Sequence, residues 1–309
     1  MSGTVLDAIG NTPVAELRKV VPAGCARIVV KLEWGNPTGS MKDRMARAAI
    51  EAAERDGRLA PGGTVLEATM GTTGISLALV CAAKGYRLHI VFSDAFSDEK
   101  RRTMQALGAT VEDVPSDDGR ITEALVKAML ARAHELSTKP NHWWCDQLHN
   151  RDAIRGYLPM GEEIWTQTGG RIDAFVHAVS TGHSIHGVAR GLRVHEPTLQ
   201  VVAVEPAESA VLSGQPSGSH RIEGIGIGFV PPLWEPAEVD EIMTVTTEEA
   251  KAMTRRLARE EGLFAGTSSG ANVVAAIRLG QRLGPDATVA TILVDSGLRY
   301  LSTDVFGAR

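Results

Sequence analysis

The stretch Asn36-Pro37-Thr38-Gly39-Ser40-Met41-Lys42-Asp43-Arg44 runs a turn of helix breakers straight into a helix that opens with a lysine. The preceding Val29-Val30-Lys31-Leu32-Glu33-Trp34 reads as a strand, Pro37 and Gly39 force the turn, and Ser40 serves as N-cap. Beyond it, Met45, Ala46, Ala49, Ile50 and Ala53 form an apolar stripe at helical spacing, with Arg44, Arg47, Glu51 and Glu54 mostly off it. A helix N-terminus carries partial positive charge, which disfavours an ammonium and favours the neutral amine that Schiff-base chemistry needs. A solvated first-turn lysine fits the same pattern, so Lys42 alone leaves both readings open.

Three further segments place polar groups where a ligand could sit. Glu67-Ala68-Thr69-Met70-Gly71-Thr72-Thr73-Gly74 joins a strand to an apolar helix, and Ser180-Thr181-Gly182-His183-Ser184 does the same later in the chain. Such turns expose backbone N–H groups and hydroxyls at a helix N-terminus, a receptor for carboxylate or phosphate; they also occur as ordinary connections. Neither has the GxGxxG spacing of a dinucleotide fold or the GK[ST] ending of a P-loop. The buried strand Ala290-Thr291-Ile292-Leu293-Val294 ends at Asp295-Ser296-Gly297, where ligands of open α/β sheets usually bind. Side chains alternate faces, so only one of Asp295 and Ser296 can address a given ligand atom.

These segments must be held by a scaffold, and strand-like and helix-like patterns alternate through the chain. Strands are predicted at 27–32, 64–67, 87–92, 110–114, 174–179, 200–204 and 288–294. Helices are predicted at 42–56, 73–84, 97–107, 121–136, 151–168, 184–192, 247–261 and 270–283. This alternation is the signature of an α/β protein with parallel sheets. The pattern breaks around 137–150, a candidate lobe boundary, and 213–236 is rich in Gly, Ser and Pro, as expected of a long loop at a site.

Composition narrows the classes. A chain of 309 residues with 43% hydrophobic and 22% charged residues is globular and long enough for two lobes. The net charge of -5, with basic residues dispersed, argues against nucleic acid as a partner. Cys25, Cys81 and Cys145 contain no CxxC pair, which suits free thiols in a reducing compartment and gives no metal framework. The N-terminus lacks the pattern of a signal peptide, and no apolar run is long enough to cross a bilayer, so cytoplasm is the expected location and no membrane partner is expected.

Taken in order, the motifs resemble those of the cysteine synthase and cystathionine β-synthase family of fold-type II pyridoxal phosphate enzymes, relatives of tryptophan synthase β. The likeness runs from Asn11-Thr12-Pro13 through Lys31-Leu32-Glu33, Asn36-Pro37 and Ser40 to Arg44, then Gly71 with Thr73-Gly74, and Gln147 with Asn150. It continues through Glu223-Gly224-Ile225-Gly226 with Gly228-Phe229-Val230-Pro231, Ala265 to Gly270, and Ser296-Gly297 with Arg299 to Thr303. The resemblance implies a two-lobed α/β fold, each lobe a mostly parallel twisted sheet flanked by helices. Residues 40–147 would form a smaller mobile lobe carrying the cofactor lysine and substrate carboxylate loop. Residues 1–39 and 148–309 would form the larger lobe carrying the phosphate loop and the partner of the pyridine nitrogen.

By the same resemblance Lys42 is the catalytic residue that binds pyridoxal 5'-phosphate. Ser180, Thr181, Gly182, His183 and Ser184 hold the cofactor phosphate, and Ser296 faces the ring nitrogen. Thr69, Met70, Gly71, Thr72 and Thr73 take the substrate carboxylate, with Gln147 and Gly224 also on the substrate side. No metal is implied. The implied reaction is β-replacement on an activated serine through an aminoacrylate, with O-acetylserine or O-phosphoserine as donor and sulfide or another small nucleophile as acceptor. Cysteine desulfhydration, cystathionine synthesis and a non-catalytic, partner-binding paralogue are the alternatives, and a homodimer is the implied assembly.

Two loops depart from the family pattern. Thr-Ser-Gly-Asn-Thr-Gly is usual where this chain has Thr69 to Gly74, so Met70 replaces a small hydroxyl residue and Thr72 an asparagine that reaches the cofactor's ring oxygen. Gly-Thr-Gly-Gly-Thr is usual where Ser180 to Ser184 stand; His183 then either contacts phosphate or packs against the helix start, and His186 shares the ambiguity. Arg221 either meets a phosphorylated donor or lies on the surface.

Overall fold

A computed structural model describes residues 3–119 and 122–307. Its first elements are β1 (Val14–Glu16), β2 (Arg27–Leu32), α1 (Lys42–Arg55), β3 (Thr64–Ala68), α2 (Thr72–Lys84) and β4 (Arg87–Ser93). Next come α3 (Asp98–Ala106), β5 (Thr110–Val114), α4 (Glu123–Ser137), β6 (His142–Trp144), α5 (Asp152–Arg155), α6 (Leu158–Gln167) and β7 (Ala174–Ala178). The remainder are α7 (His183–Arg193), β8 (Gln200–Pro206), β9 (Glu241–Val245), α8 (Thr247–Arg256), α9 (Thr267–Leu283) and β10 (Thr288–Leu293). The chain is thus α/β, with mostly parallel sheets flanked by helices, and among the described residues no helix is long and apolar enough to cross a membrane.

The described residues separate into two compact units. One holds those up to Ile9 together with Lys42–Gly156; the other holds Gly10–Met41 and the chain from Tyr157 onward. In the first unit four strands run in the order β5-β4-β3-β6, all parallel. Its central strand β3 is buried at every position, as a parallel strand covered on both faces must be. Leu66, Ala68 and Val91 pack there against Leu125, Met129, Ala133 and Leu136 of α4.

In the second unit six strands run β1-β2-β10-β7-β8-β9, parallel except where β1 meets β2. The central strands β7 and β10 are buried throughout. Against them pack Ala271, Val273, Ala275, Ala276 and Leu279 of α9. The motif residues Lys31 and Glu33 serve this unit as buried anchors. The Lys31 ammonium, almost wholly buried, pairs with Glu163 at 2.7 Å and donates to Gln167 at 2.9 Å. Glu33 accepts from Thr12 at 2.6 Å and from Asn36 at 2.9 Å, which holds the turn leading to Met41. Both side chains have the hydrogen-bond partners that buried polar groups must have.

Several elements differ from the sequence expectation. Strands β1, β6 and β9 were not predicted; β6 lies inside the stretch read as a break. The helix expected over 151–168 is two helices, because Gly156 ends the first and Pro159 stands in the opening turn of the second. The helix expected over 121–136 is observed from Glu123, with Ile121 outside the described residues. Arg44, off the apolar stripe, is nevertheless buried, and the backbone at Gly156 passes close to its carbonyl, where a Cβ would collide with the oxygen.

Close backbone approach also seats α7, the helix that follows Ser180–Gly182. A Cβ on Gly161 of α6 would lie 2.6 Å from the Val188 carbonyl oxygen, and one on Gly191 would lie 2.5 Å from that of Leu158. Gly161→Ala therefore forces α6 and α7 apart, and we expect a loss of about 1–3 kcal/mol in denaturant unfolding. Unchanged stability would contradict the tight α6–α7 contact.

Candidate active site

The candidate residues fall in both units, and each group is described within its own. Lys42 begins α1 and is 8% exposed. Among the described residues the buried lysines are Lys31, Lys42 and Lys251. Lys31 pairs with Glu163, and Lys251 with Asp304 at 2.7 Å. The thiols do not compete. Burial pushes Cys81 up to about 12, and it holds Cys145 well above, and Cys25 above, the ordinary thiol range.

In the same unit the turn between β3 and α2 is built around Thr69, whose hydroxyl accepts from the Gly71 N–H at 3.0 Å. Gly71 is the N-cap of α2 and offers no side-chain cap, so the first N–H groups of a thirteen-residue helix are left to an outside acceptor. Met70 is exposed, whereas Thr69 and Thr73 are buried. Gln147 follows β6, which pairs with β3, and the carboxyl ends of the two strands thereby bring Gln147 to the turn. Thr73 Oγ1 donates to Gln147 Oε1 at 2.8 Å, and Gln147 Nε2 donates to the Ala68 carbonyl at 3.3 Å. Asn150 secures the next turn, donating to the Cys145 carbonyl at 2.8 Å.

Glu67 underlies this arrangement and was not singled out from sequence. Its carboxyl is fully buried and accepts from the Ala68 N–H at 2.9 Å and the Gln147 N–H at 3.0 Å. Those bonds favour the carboxylate, but loss of hydration outweighs them and, with the nearby Asp146 charge, raises Glu67 to about 8.

In the second unit the turn after β7 contains Ser180, Thr181 and Gly182, with His183 and Ser184 as the first residues of α7. Gly182 is the N-cap at φ +91°, left-handed backbone that suits glycine, and it provides no side-chain cap. The eleven-residue helix α7 therefore also presents uncapped N–H donors. His183 is buried with Nδ1 2.9 Å from Thr181 Oγ1. His186 lies inside the fold, 2.8 Å from Glu238, and burial lowers its pKa. The glycine-rich loop is tied to the same strand end, as the Gly226 N–H donates to the Val179 carbonyl at 3.1 Å. Gly224 lies in that loop at φ +87°. A shallow pocket is lined there by Val179, Ser180, Glu205, Gly226 and Phe229.

At the end of β10, Asp295 is buried and accepts from Tyr300 at 2.9 Å. Ser296 is half-buried, and its hydroxyl accepts from the Leu298 N–H at 3.3 Å. Because β10 pairs with β7, Ser296 and the Ser180–Ser184 turn share one sheet edge. Arg221 is largely exposed and pairs with Asp304 at 3.3 Å. Among the described residues no cluster of three His, Cys, Asp or Glu could hold a metal ion.

The chain belongs to the pyridoxal-phosphate dependent enzyme family, whose family model matches residues 5–295. Pyridoxal 5'-phosphate is its cofactor. It is 41% identical over 304 residues to a cysteine synthase of Staphylococcus aureus, covering 98% of this chain and 96% of that protein. Among solved structures it is similar to a cysteine synthase of Entamoeba histolytica, with a TM-score of 0.94 and 34% identity, covering 100% of this chain and 92% of that one. An O-acetylserine dependent cystathionine β-synthase of Helicobacter pylori superposes with a TM-score of 0.91 at 35% identity, covering 99% of each chain. Each unit offers groups of the kind this cofactor binds: a buried lysine at a helix start in one, and in the other an uncapped helix start lined with hydroxyls and a serine hydroxyl beyond the end of β10.

The raised Glu67 carboxyl has a measurable consequence. Between about 4.5 and about 8 the folded chain keeps a proton that the unfolded chain has released, so stability falls as pH rises through that window and levels off above it. Glu67→Gln should remove this slope, which approaches about 1.4 kcal/mol per pH unit. Denaturant unfolding of both proteins across the window checks this, and a pH-independent difference between them would contradict it.

Proposed function

We propose that the chain is a β-replacing enzyme that makes cysteine, or another β-substituted alanine, from O-acetylserine or O-phosphoserine and sulfide or a similar small nucleophile. The observation that carries this reading is the paired support of the β3–α2 turn. Its uncapped helix start is a receptor for an α-carboxylate, and Gln147, held by Thr73 and Glu67, stands beside it.

The residues then divide the work. Lys42 holds the cofactor aldehyde and afterwards takes the substrate's α-proton on Nζ. The N–H groups from Thr69 to Thr73, with Gln147, would orient the amino acid by its carboxylate, and Gly224 would also contact the substrate. Thr72 would donate to the cofactor's ring oxygen, and Ser180, Thr181, Gly182, His183 and Ser184 would hold its phosphate. Ser296 faces the ring nitrogen; a serine hydroxyl is too weak an acid to transfer its proton there, so the ring remains a moderate electron sink. When bound, the cofactor delocalises the electron pair released with the α-proton, so that the β-substituent can depart. The donor's Cβ–O bond breaks, acetate or phosphate leaves, a Cβ–S bond forms to the incoming sulfide, and Lys42 Nζ returns the proton to Cα. Met70 narrows the space beside Cβ, which favours a small nucleophile.

The assembly we propose is a homodimer in the cytoplasm, where its three free, buried thiols remain reduced.

Product analysis of the holoenzyme with O-acetylserine, O-phosphoserine, serine and cysteine, each with and without sulfide, tests the reaction. An acylated or phosphorylated serine should yield cysteine only when sulfide is present, with ping-pong kinetics. Lys42→Ala should lower turnover by at least about 10²–10⁴-fold. Efficient release of sulfide from cysteine without a second nucleophile, and no cysteine from any donor, would overturn the proposal in favour of a lyase.

A further inference from the structure

His177, the fourth of the five residues of β7, lies between the side chains of Asn272 on α9 and Ser184 on α7, and all three are buried. The Asn272 amide has one possible orientation. Its Oδ1 accepts from the Ala178 N–H at 2.7 Å and its Nδ2 donates to the Ile292 carbonyl at 2.7 Å, and exchanging the two atoms would set donor against donor and acceptor against acceptor. The same Nδ2 faces His177 Nδ1 at 3.2 Å. A ring nitrogen that meets an amide donor must be the one without a proton, so the imidazole proton sits on Nε2. Nε2 is 2.8 Å from Ser184 Oγ and donates to it. With its oxygen engaged as an acceptor on the inner side, the Ser184 hydroxyl directs its own proton elsewhere.

We propose that Asn272 and His177 form a positioning relay that makes Ser184 a hydrogen-bond donor toward the cofactor phosphate. The inference rests on the reading of Ser180–Ser184 as the phosphate loop. A phosphate dianion offers acceptors only, and a free serine hydroxyl spends part of its time donating elsewhere; the relay removes that alternative before the cofactor arrives. His177 is therefore a positioning residue that acts through Ser184. The relay lies on the inner side of a turn where Ser180, His183 and Ser184 depart from the usual family pattern, so this chain builds the donor from a buried histidine.

The test combines cofactor titration of the apoprotein, followed by absorbance, with the ³¹P resonance of bound pyridoxal phosphate. Ser184→Ala and His177→Phe should each weaken binding about tenfold, as expected for loss of a hydrogen bond to a charged group, and shift the phosphorus resonance. The double variant should bind no more weakly than either single one. His177→Gln, which restores an N–H donor to Ser184, should recover binding to within about threefold of the native protein. Additive effects of the two substitutions, or unchanged affinity in His177→Phe while Ser184→Ala is impaired, would overturn the relay. Unchanged affinity and resonance in Ser184→Ala would instead overturn the phosphate-loop reading beneath it. Should His177→Phe fail to fold, ¹⁵N spectra of the native apoprotein decide directly, since the relay requires a proton on Nε2 of His177 and a proton on Nδ1 refutes it.

Discussion

A parallel strand that turns into a helix leaves the helix's first N–H groups without partners, and the candidate site of this chain depends on that constraint. The turns after β3 and β7 use it in the same way, each with a glycine N-cap that supplies no side chain of its own. An aspartate or serine in either place would have satisfied the helix internally and closed the receptor. Glycine N-caps sacrifice some stability, roughly a few tenths of a kcal/mol each, and the loss is tolerable because an anion recovers it on binding.

Backbone donors alone do not orient a ligand, and both turns rest on buried polar groups that fix what surrounds them. Glu67 and Gln147 secure the first; Asn272 and His177 underlie the second. In each case a carboxyl, amide or imidazole deep in the sheet reaches a residue at the carboxyl edge. Such groups are costly to bury and specify one arrangement only when their partners are in place. Lys31 and Glu33 do comparable work at the turn before Met41, which explains why a conspicuous sequence motif is structural at those two positions.

Most of the scaffold was legible from the sequence because β3, β7 and β10 are short apolar runs followed by periodic helices. The strands that escaped had little signal to give. β1 and β6 are three residues long, and β6 begins just after Lys139-Pro140-Asn141; its place beside β3 comes from tertiary pairing. The turns at Thr69 and Ser180 were visible through their small residues and hydroxyls. Glu67, His177 and Asn272 were not, although a polar residue inside a buried strand such as Ala174–Ala178 is itself a signal that something must satisfy it. The substrate remains the part that residue types describe least, since it turns on the size and exposure of Met70 and Thr72.

Among the described residues three lysines are buried, Lys31, Lys42 and Lys251, and the proposed chemistry belongs to Lys42. Borohydride reduction of the holoenzyme, which fixes the cofactor to the amine that carries it, followed by peptide mapping, tests that assignment most directly. The cofactor is predicted on Lys42 alone. Its recovery on Lys31, Lys251 or any other lysine would contradict the account.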